Sequence, residues 1–197
     1  MSPRAINISG CIDCLCFDKT GTLTEDSIDL KEIVCVEPDD QDDGRVRFSS
    51  PVSEASALNE HTLMLRCLAT CHSLKLLRNA FIGDDLEIKL FNWTGWTLEE
   101  PRDSELTYGF TVPTVVTSPR HGLVVGVRKQ FPFTSKAARM SVIVSGNLQH
   151  DVENNRDNCA EFFIKGAPET IIQMCRSETV PRDFVTKLDA YTRESYR

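Results

Sequence analysis

At 197 residues the chain can bury one sizeable core, or one domain plus part of another. A net charge of −7 argues against a nucleic-acid partner held by phosphate neutralisation, and no window reaches the ~20 consecutive apolar residues of a membrane span. Hydrophobic residues at 41% and charged residues at 26% are ordinary for a globular chain, and the start, Met1-Ser2-Pro3-Arg4-Ala5, lacks the apolar core of a secretory signal.

In chain order, Cys14-Leu15-Cys16-Phe17 reads as a short buried strand that breaks into a hydroxyl-rich turn, Asp18-Lys19-Thr20-Gly21-Thr22-Leu23-Thr24. This places Asp18 at the carboxyl end of a strand, where open α/β sheets hold their ligands. A carboxylate there can attack phosphorus, with the Lys19 cation, the Thr20 and Thr22 hydroxyls and the backbone freed by Gly21 receiving the phosphoryl oxygens. A phosphatase would profit from a second carboxylate two residues on, as general acid and base. Thr20 stands there instead, so the expected product is an aspartyl phosphate that persists.

Ser27 to Val36 reads as a strand of a different sheet, and Glu37 to Gly44 as a solvated acidic loop. From Asn59 to Leu77 the apolar positions recur at three- and four-residue intervals, predicting an amphipathic helix in which His72 is a hydrogen-bonded structural residue. Asp84 or Asp85 is placed to cap a following short helix. Strands are expected over Tyr108–Val116, Leu123–Phe133, Met140–Val144 and Ala160–Ile164, with spacing that favours an antiparallel sheet. Helices follow over Thr170–Cys175, with Pro168 near its first turn, and over Phe184–Tyr196. Cys11, Cys14 and Cys16, and Cys67, Cys71 and His72, are the groupings that would tempt a metal reading. Reduced, buried thiols are the reading preferred for the eight cysteines.

The run DKTGTLT at Asp18–Thr24 is the phosphorylation signature of P-type ATPases, and the sequence resembles that family. Three further patches match its nucleotide-binding domain in the family's order. Gly83-Asp84-Asp85-Leu86-Glu87 has Asp85 where the family has proline, and Glu87 aligns with the acid facing the adenine amine. Within Phe131–Ser141, Phe133 matches the aromatic that stacks on adenine, and Lys136 or Arg139 meets phosphate where the family often has lysine near Ala138. Lys165-Gly166-Ala167-Pro168-Glu169 matches KGAPE, with Lys165 aimed at the pocket and Gly166 letting backbone approach the ligand. FDKTGTLTED, ATCHSL, GDDLEIKLFNWTGW and FPFTSKAARMSV are together similar to the fifth class of these ATPases, in its lysosomal and endosomal polyamine-transporting branch.

The resemblance implies an α/β (α+β) chain. Residues 1–24 are the first strand and loop of an incomplete Rossmann-like, haloacid-dehalogenase-type phosphorylation domain, and residues 25–197 are an antiparallel nucleotide-binding domain with flanking helices. It implies ATP and Mg²⁺ as cofactors, with Asp18 and the backbone of Thr20 giving part of the metal shell. It also implies a remaining pump, comprising an actuator, the rest of the phosphorylation domain and membrane helices, in a late endosomal or lysosomal membrane with this region facing the cytosol. The competing expectation is a truncated, non-catalytic nucleotide-binding or regulatory module.

Overall fold

β-Branched residues concentrate between positions 112 and 147, and there the chain builds its main sheet. The computed structural model describes residues 8–19, 21–24, 28–39, 42, 44–59, 62–78, 80–101, 112–120, 122–147 and 160–196. A first hairpin, β1 (Val36–Pro38) and β2 (Val46–Phe48), brackets the acidic loop. Helix α1 (Leu63–Thr70) follows, then the hairpin β3 (Lys75–Leu77) and β4 (Ala80–Ile82), then α2 (Asp85–Thr94). Strands β5 (Thr97–Glu99), β6 (Thr114–Thr117), β7 (Val124–Thr134), β8 (Arg139–Asn147) and β9 (Ala160–Gly166) form one antiparallel sheet in sequence order. Helices α3 (Pro168–Ile172) and α4 (Phe184–Arg193) end the described chain.

The core lies between α1, α2 and one face of this sheet. Leu65 and Ala69 from α1 and Phe91 from α2 meet Val125, Val127, Met140, Val142, Val144 and Phe163 from the strands. Phe91 is fully buried, a burial worth about 1.5–3 kcal/mol, and its ring meets the edges of His72 and Phe81 at 5.1 Å each. Helix α2 has both ends defined by sequence. The Asp84 carboxylate accepts from the Leu86 and Glu87 amides, and Gly95 closes the other end in the left-handed region at φ 70°. Asp85 is the first helical residue, a position that suits proline or an acid alike.

Helix α1 stops earlier than its periodicity predicts. The Thr70 hydroxyl turns back to the Arg66 carbonyl, and the Cys71 amide closes on Cys67, so Cys71, His72 and Leu74 lie beyond the last helical residue. A tight turn follows. Leu74 donates its amide to His72 Nδ1 at 3.3 Å, which leaves the proton on Nε2, 3.0 Å from the Ala69 carbonyl. His72 is thus the hydrogen-bonded structural histidine expected. Its burial holds the imidazole neutral, with its pKa lowered to about 4.

The strand expected over Cys14–Phe17 does not form. No described residue pairs with it, and Leu15 and Phe17 are exposed. A strand needs a neighbour to satisfy its backbone, and these residues have none among those described. The same absence corrects the cysteine reading. Cys14, Cys16 and Cys175 are exposed, Cys35 and Cys67 are half-buried, and only Cys71 among the described thiols is buried; all those described are free. Of the strand expected over Ser27–Val36, Val36 enters β1 and Ile33 makes a single bridge to Val52. The β3–β4 hairpin and β5 were not anticipated. The sheet is antiparallel as predicted, while residues 102–111 and 148–159 lie outside the described residues.

Two stability tests follow from this packing. At Gly166 an added Cβ would sit 2.5 Å from the Ala138 carbonyl oxygen and 2.9 Å from Arg139 Cα, both backbone atoms. Gly166→Ala should therefore cost about 1–3 kcal/mol in chemical denaturation. For His72, the unfolded chain binds a proton near pH 6.5 and the folded chain only near 4. Stability should be constant above this window and fall by up to about 3 kcal/mol as pH drops through it. Urea midpoints at pH 7 and 4.5 would show this, and His72→Gln should flatten the fall.

Candidate functional site

Strand β9 and helix α2 together make the polar end of a cavity of about 840 Å³. Its long wall is apolar, with Met64 and Leu68 from α1, Phe48 from β2 and Phe184 from α4. At the polar end, Lys165 Nζ donates to Glu87 Oε1 at 2.7 Å, and the Ser73 amide donates to Glu87 Oε2 at 2.8 Å. Glu87 is 9% exposed, so this carboxylate is held on both oxygens in a largely dry place. Each oxygen still has a lone pair to offer a ligand. The volume is of the size that takes a nucleotide-sized molecule.

Below this pair, the Cys71 thiol is pushed down in pKa by accepting from Cys67 and by the nearby Lys165 cation, against the opposing effect of burial. Cys67 is pushed up by the same contact and by its own burial. Among the described residues no group of three His, Cys, Asp or Glu side chains could hold a metal ion. The His72 nitrogens are already committed to Ala69 and Leu74.

Phe133, Lys136 and Arg139 do not line this cavity. They gather at the β7–β8 hairpin tip, where Thr134 pairs with Arg139 and Arg139 pairs with Gly166. The pairing carries the tip across to the end of β9, one residue from Lys165. Phe133 is 58% exposed, Lys136 lies in the exposed turn, and the Arg139 guanidinium reaches the Met174 sulfur at 3.3 Å. Ala138 closes the turn in the left-handed region at φ 49°, and its carbonyl accepts the Ala167 amide at 3.0 Å. The structure thus brings Glu87 to Lys165 directly and Arg139 to Gly166 through sheet register, with Phe133 and Lys136 in the same hairpin.

Asp18 and Lys19 are exposed, outside the cavity, at the start of a compact turn. The Lys19 carbonyl accepts the Leu23 and Thr24 amides at 2.9 and 3.1 Å and the Thr24 hydroxyl at 3.3 Å, while Gly21 takes φ 75°. Thr22 is exposed within this turn, and Thr20 lies outside the described residues. Asp18 alone does not make a divalent-cation shell, so the described residues do not fit a complete Mg²⁺ site.

Sequence reasoning missed Ser73, whose contribution is a backbone amide, and the ion pair of Arg66 with Glu161. Arg66 Nη1 donates to Glu161 Oε1 at 2.7 Å, while Nη2 lies close to Oε2 without hydrogen-bond alignment. The alternation of Glu161, Phe163 and Lys165 along β9 was the available signal, since it puts all three on one face.

No protein-family model matches the chain. It is 37% identical over 223 residues to polyamine-transporting ATPase 13A3 of Homo sapiens, an alignment that covers all of this chain and 17% of that protein. Polyamine-transporting ATPase 13A2 of Homo sapiens is 36% identical over 207 residues, covering 99% of this chain and 16% of the relative. The vacuolar cation-transporting ATPase YPK9 of Saccharomyces cerevisiae is 34% identical over 238 residues, covering all of this chain and 15% of its own length. The chain therefore spans about a sixth of the length of the curated relatives it matches, and aligned with them from end to end it belongs to the 13A branch of the P-type ATPases.

Proposed function

We propose that the chain is the ATP-binding and phosphoryl-accepting segment of a P-type transport pump, with residues 1–24 belonging to the phosphorylation domain and residues 25–197 to the nucleotide-binding domain. The observation that carries this is the Glu87–Lys165 pair, held by the Ser73 amide at the polar end of a nucleotide-sized cavity. In this reading Glu87 accepts from the adenine amine, Lys165 sets the charge of the pocket, and Phe133, outside the cavity at the hairpin tip, stacks on the base at the mouth. Gly166 keeps the end of β9 clear, and Lys136 and Arg139 at the hairpin tip meet phosphate oxygens.

Asp18 is the acceptor. A carboxylate oxygen forms a bond to the γ-phosphorus, the bond from that phosphorus to the β–γ bridging oxygen breaks, and ADP leaves with the electron pair. Lys19, Thr20, Thr22 and the Gly21 backbone receive the transferred oxygens. Mg²⁺ would neutralise phosphate charge in such chemistry, with Asp18 and Thr20 contributing ligands and the rest coming from outside the described residues.

Polyamines or cations are the cargo proposed, since relatives bear those names, and the membrane of the late endosome or lysosome is the proposed site. Among the described residues no helix is long and apolar enough to cross a membrane, so cargo binding is assigned to other parts of the pump. The remaining actuator, phosphorylation domain and membrane helices are the partners this reading requires.

Isothermal titration of the chain should show ATP binding that Phe133→Ala weakens about tenfold. Lys165→Ala should weaken it as well. Unchanged affinity in both variants would overturn the assignment of the pocket. Incubated with γ-labelled ATP, the chain alone should stay unlabelled, because Asp18 stands outside the cavity. Hydroxylamine-sensitive label on Asp18 in the isolated chain would contradict that.

A further inference from the structure

Glu87 is aimed by two donors of different kinds. The Lys165 ammonium holds Oε1 from a flexible stem, whereas the Ser73 amide holds Oε2 from the backbone. An ammonium can follow a carboxylate through several rotamers, but an amide fixes one direction as firmly as its own turn is fixed. The orientation of Glu87 therefore depends on what holds residues 71–74.

That turn hangs on His72. Its Nε2–H reaches back 3.0 Å to the Ala69 carbonyl in the last turn of α1, and its Nδ1 accepts the Leu74 amide at 3.3 Å from the chain leaving toward β3. One ring thus ties the entry of the turn to its exit, with Ser73 between. The Phe91 ring, nearly perpendicular with its centroid 5.1 Å away, packs against the imidazole, which is 6% exposed. His72 lines the cavity, but both its nitrogens are committed and can hydrogen-bond to no ligand, so its effect on the aim of Glu87 passes through Ser73.

We propose that His72 is a positioning residue for base selection: it fixes the turn that presents the Ser73 amide to Glu87, and thereby aims the carboxylate at the exocyclic amine of adenine. This rests on the assignment of Glu87 to adenine made above. Guanine carries a carbonyl oxygen at the corresponding ring position, which a fixed carboxylate repels. A carboxylate free to swing about Lys165 loses that discrimination while keeping its charge.

Dissociation constants for ATP and GTP, measured by calorimetry on the chain, give the ratio that reads this role. Glu87→Gln should bring the ratio close to one. His72→Phe keeps the ring against Phe91 but loses both hydrogen bonds, and should lower the ratio about fivefold with cooperative melting retained. His72→Asn, whose side-chain oxygen accepts from the amide two residues on, should stay within about twofold of the parent. If Glu87→Gln lowers the ratio and His72→Phe does not, the positioning role is refuted and the assignment of Glu87 stands. If Glu87→Gln leaves the ratio unchanged, the assignment itself fails and takes the positioning role with it. Should His72→Phe not fold, His72→Gln replaces it, because the longer amide misses the Leu74 N–H; equal ratios for the Asn and Gln variants would refute the proposal.

Discussion

The ion pair between Glu87 and Lys165 constrains more of this molecule than any other contact. It joins helix α2 to strand β9 across 78 residues of sequence, in a place where Glu87 has little water to solvate it. Taking a carboxylate out of water is costly, and one cation rarely offsets it; here the Ser73 amide supplies the second hydrogen bond that makes burial tolerable. Removing either donor would leave a charge that the surrounding apolar wall cannot stabilise. The pair therefore fixes the approach of α2 to the sheet, and with it the shape of the cavity end.

A second pair on the same strand makes that approach unique. Glu161 holds Arg66 of α1, Lys165 holds Glu87 of α2, and Phe163 lies between them in the core. Three alternate residues of β9 thus dock two helices through two salt bridges of opposite polarity and one hydrophobic contact. Sliding β9 by one residue would turn all three to the far face, so the register of β8 on β9 is strongly specified. That register also carries Gly166 to Arg139 and Ala138, where the close approach of two backbones admits no side chain. The hairpin tip and the pocket lysine are consequently parts of one rigid geometry.

Much of this was legible in the sequence, and the failures have physical causes. The cap at Asp84, the antiparallel strands and Pro168 at the start of α3 follow from local chemistry that neighbours do not override. The α1 boundary failed because Leu74 continues a helical spacing although the chain has already turned; periodicity records burial, and Leu74 is buried from outside the helix. The Cys14–Phe17 segment failed for the opposite reason, since its apolar pattern describes a strand whose partners are absent among the described residues. At the site, Glu87 and Lys165 could be named from motif, but Ser73 could not, because a backbone amide has no signature in residue type. The separation of Phe133 from the cavity was also illegible, since it depends on the irregular register between Phe131 and Thr134.

Under the function proposed, the places of Asp18 and the pocket impose a mechanical requirement. In-line attack needs the carboxylate oxygen about 3–3.5 Å from phosphorus, yet Asp18 sits in an exposed turn outside the cavity. The turn is closed on itself through the Lys19 carbonyl, and α1 and α2 are docked on β9 through two ion pairs, so neither half deforms easily to meet the other. In that reading, contact would need one body to move against the other. A nucleotide that bridges the two would favour the closed arrangement only by the contacts it makes there and nowhere else. Transfer of phosphate removes that bridge, because base and phosphoryl group then belong to different molecules. In the proposed function, the covalent step that would charge Asp18 would also release the two halves, which is the coupling a transport cycle needs between chemistry and movement.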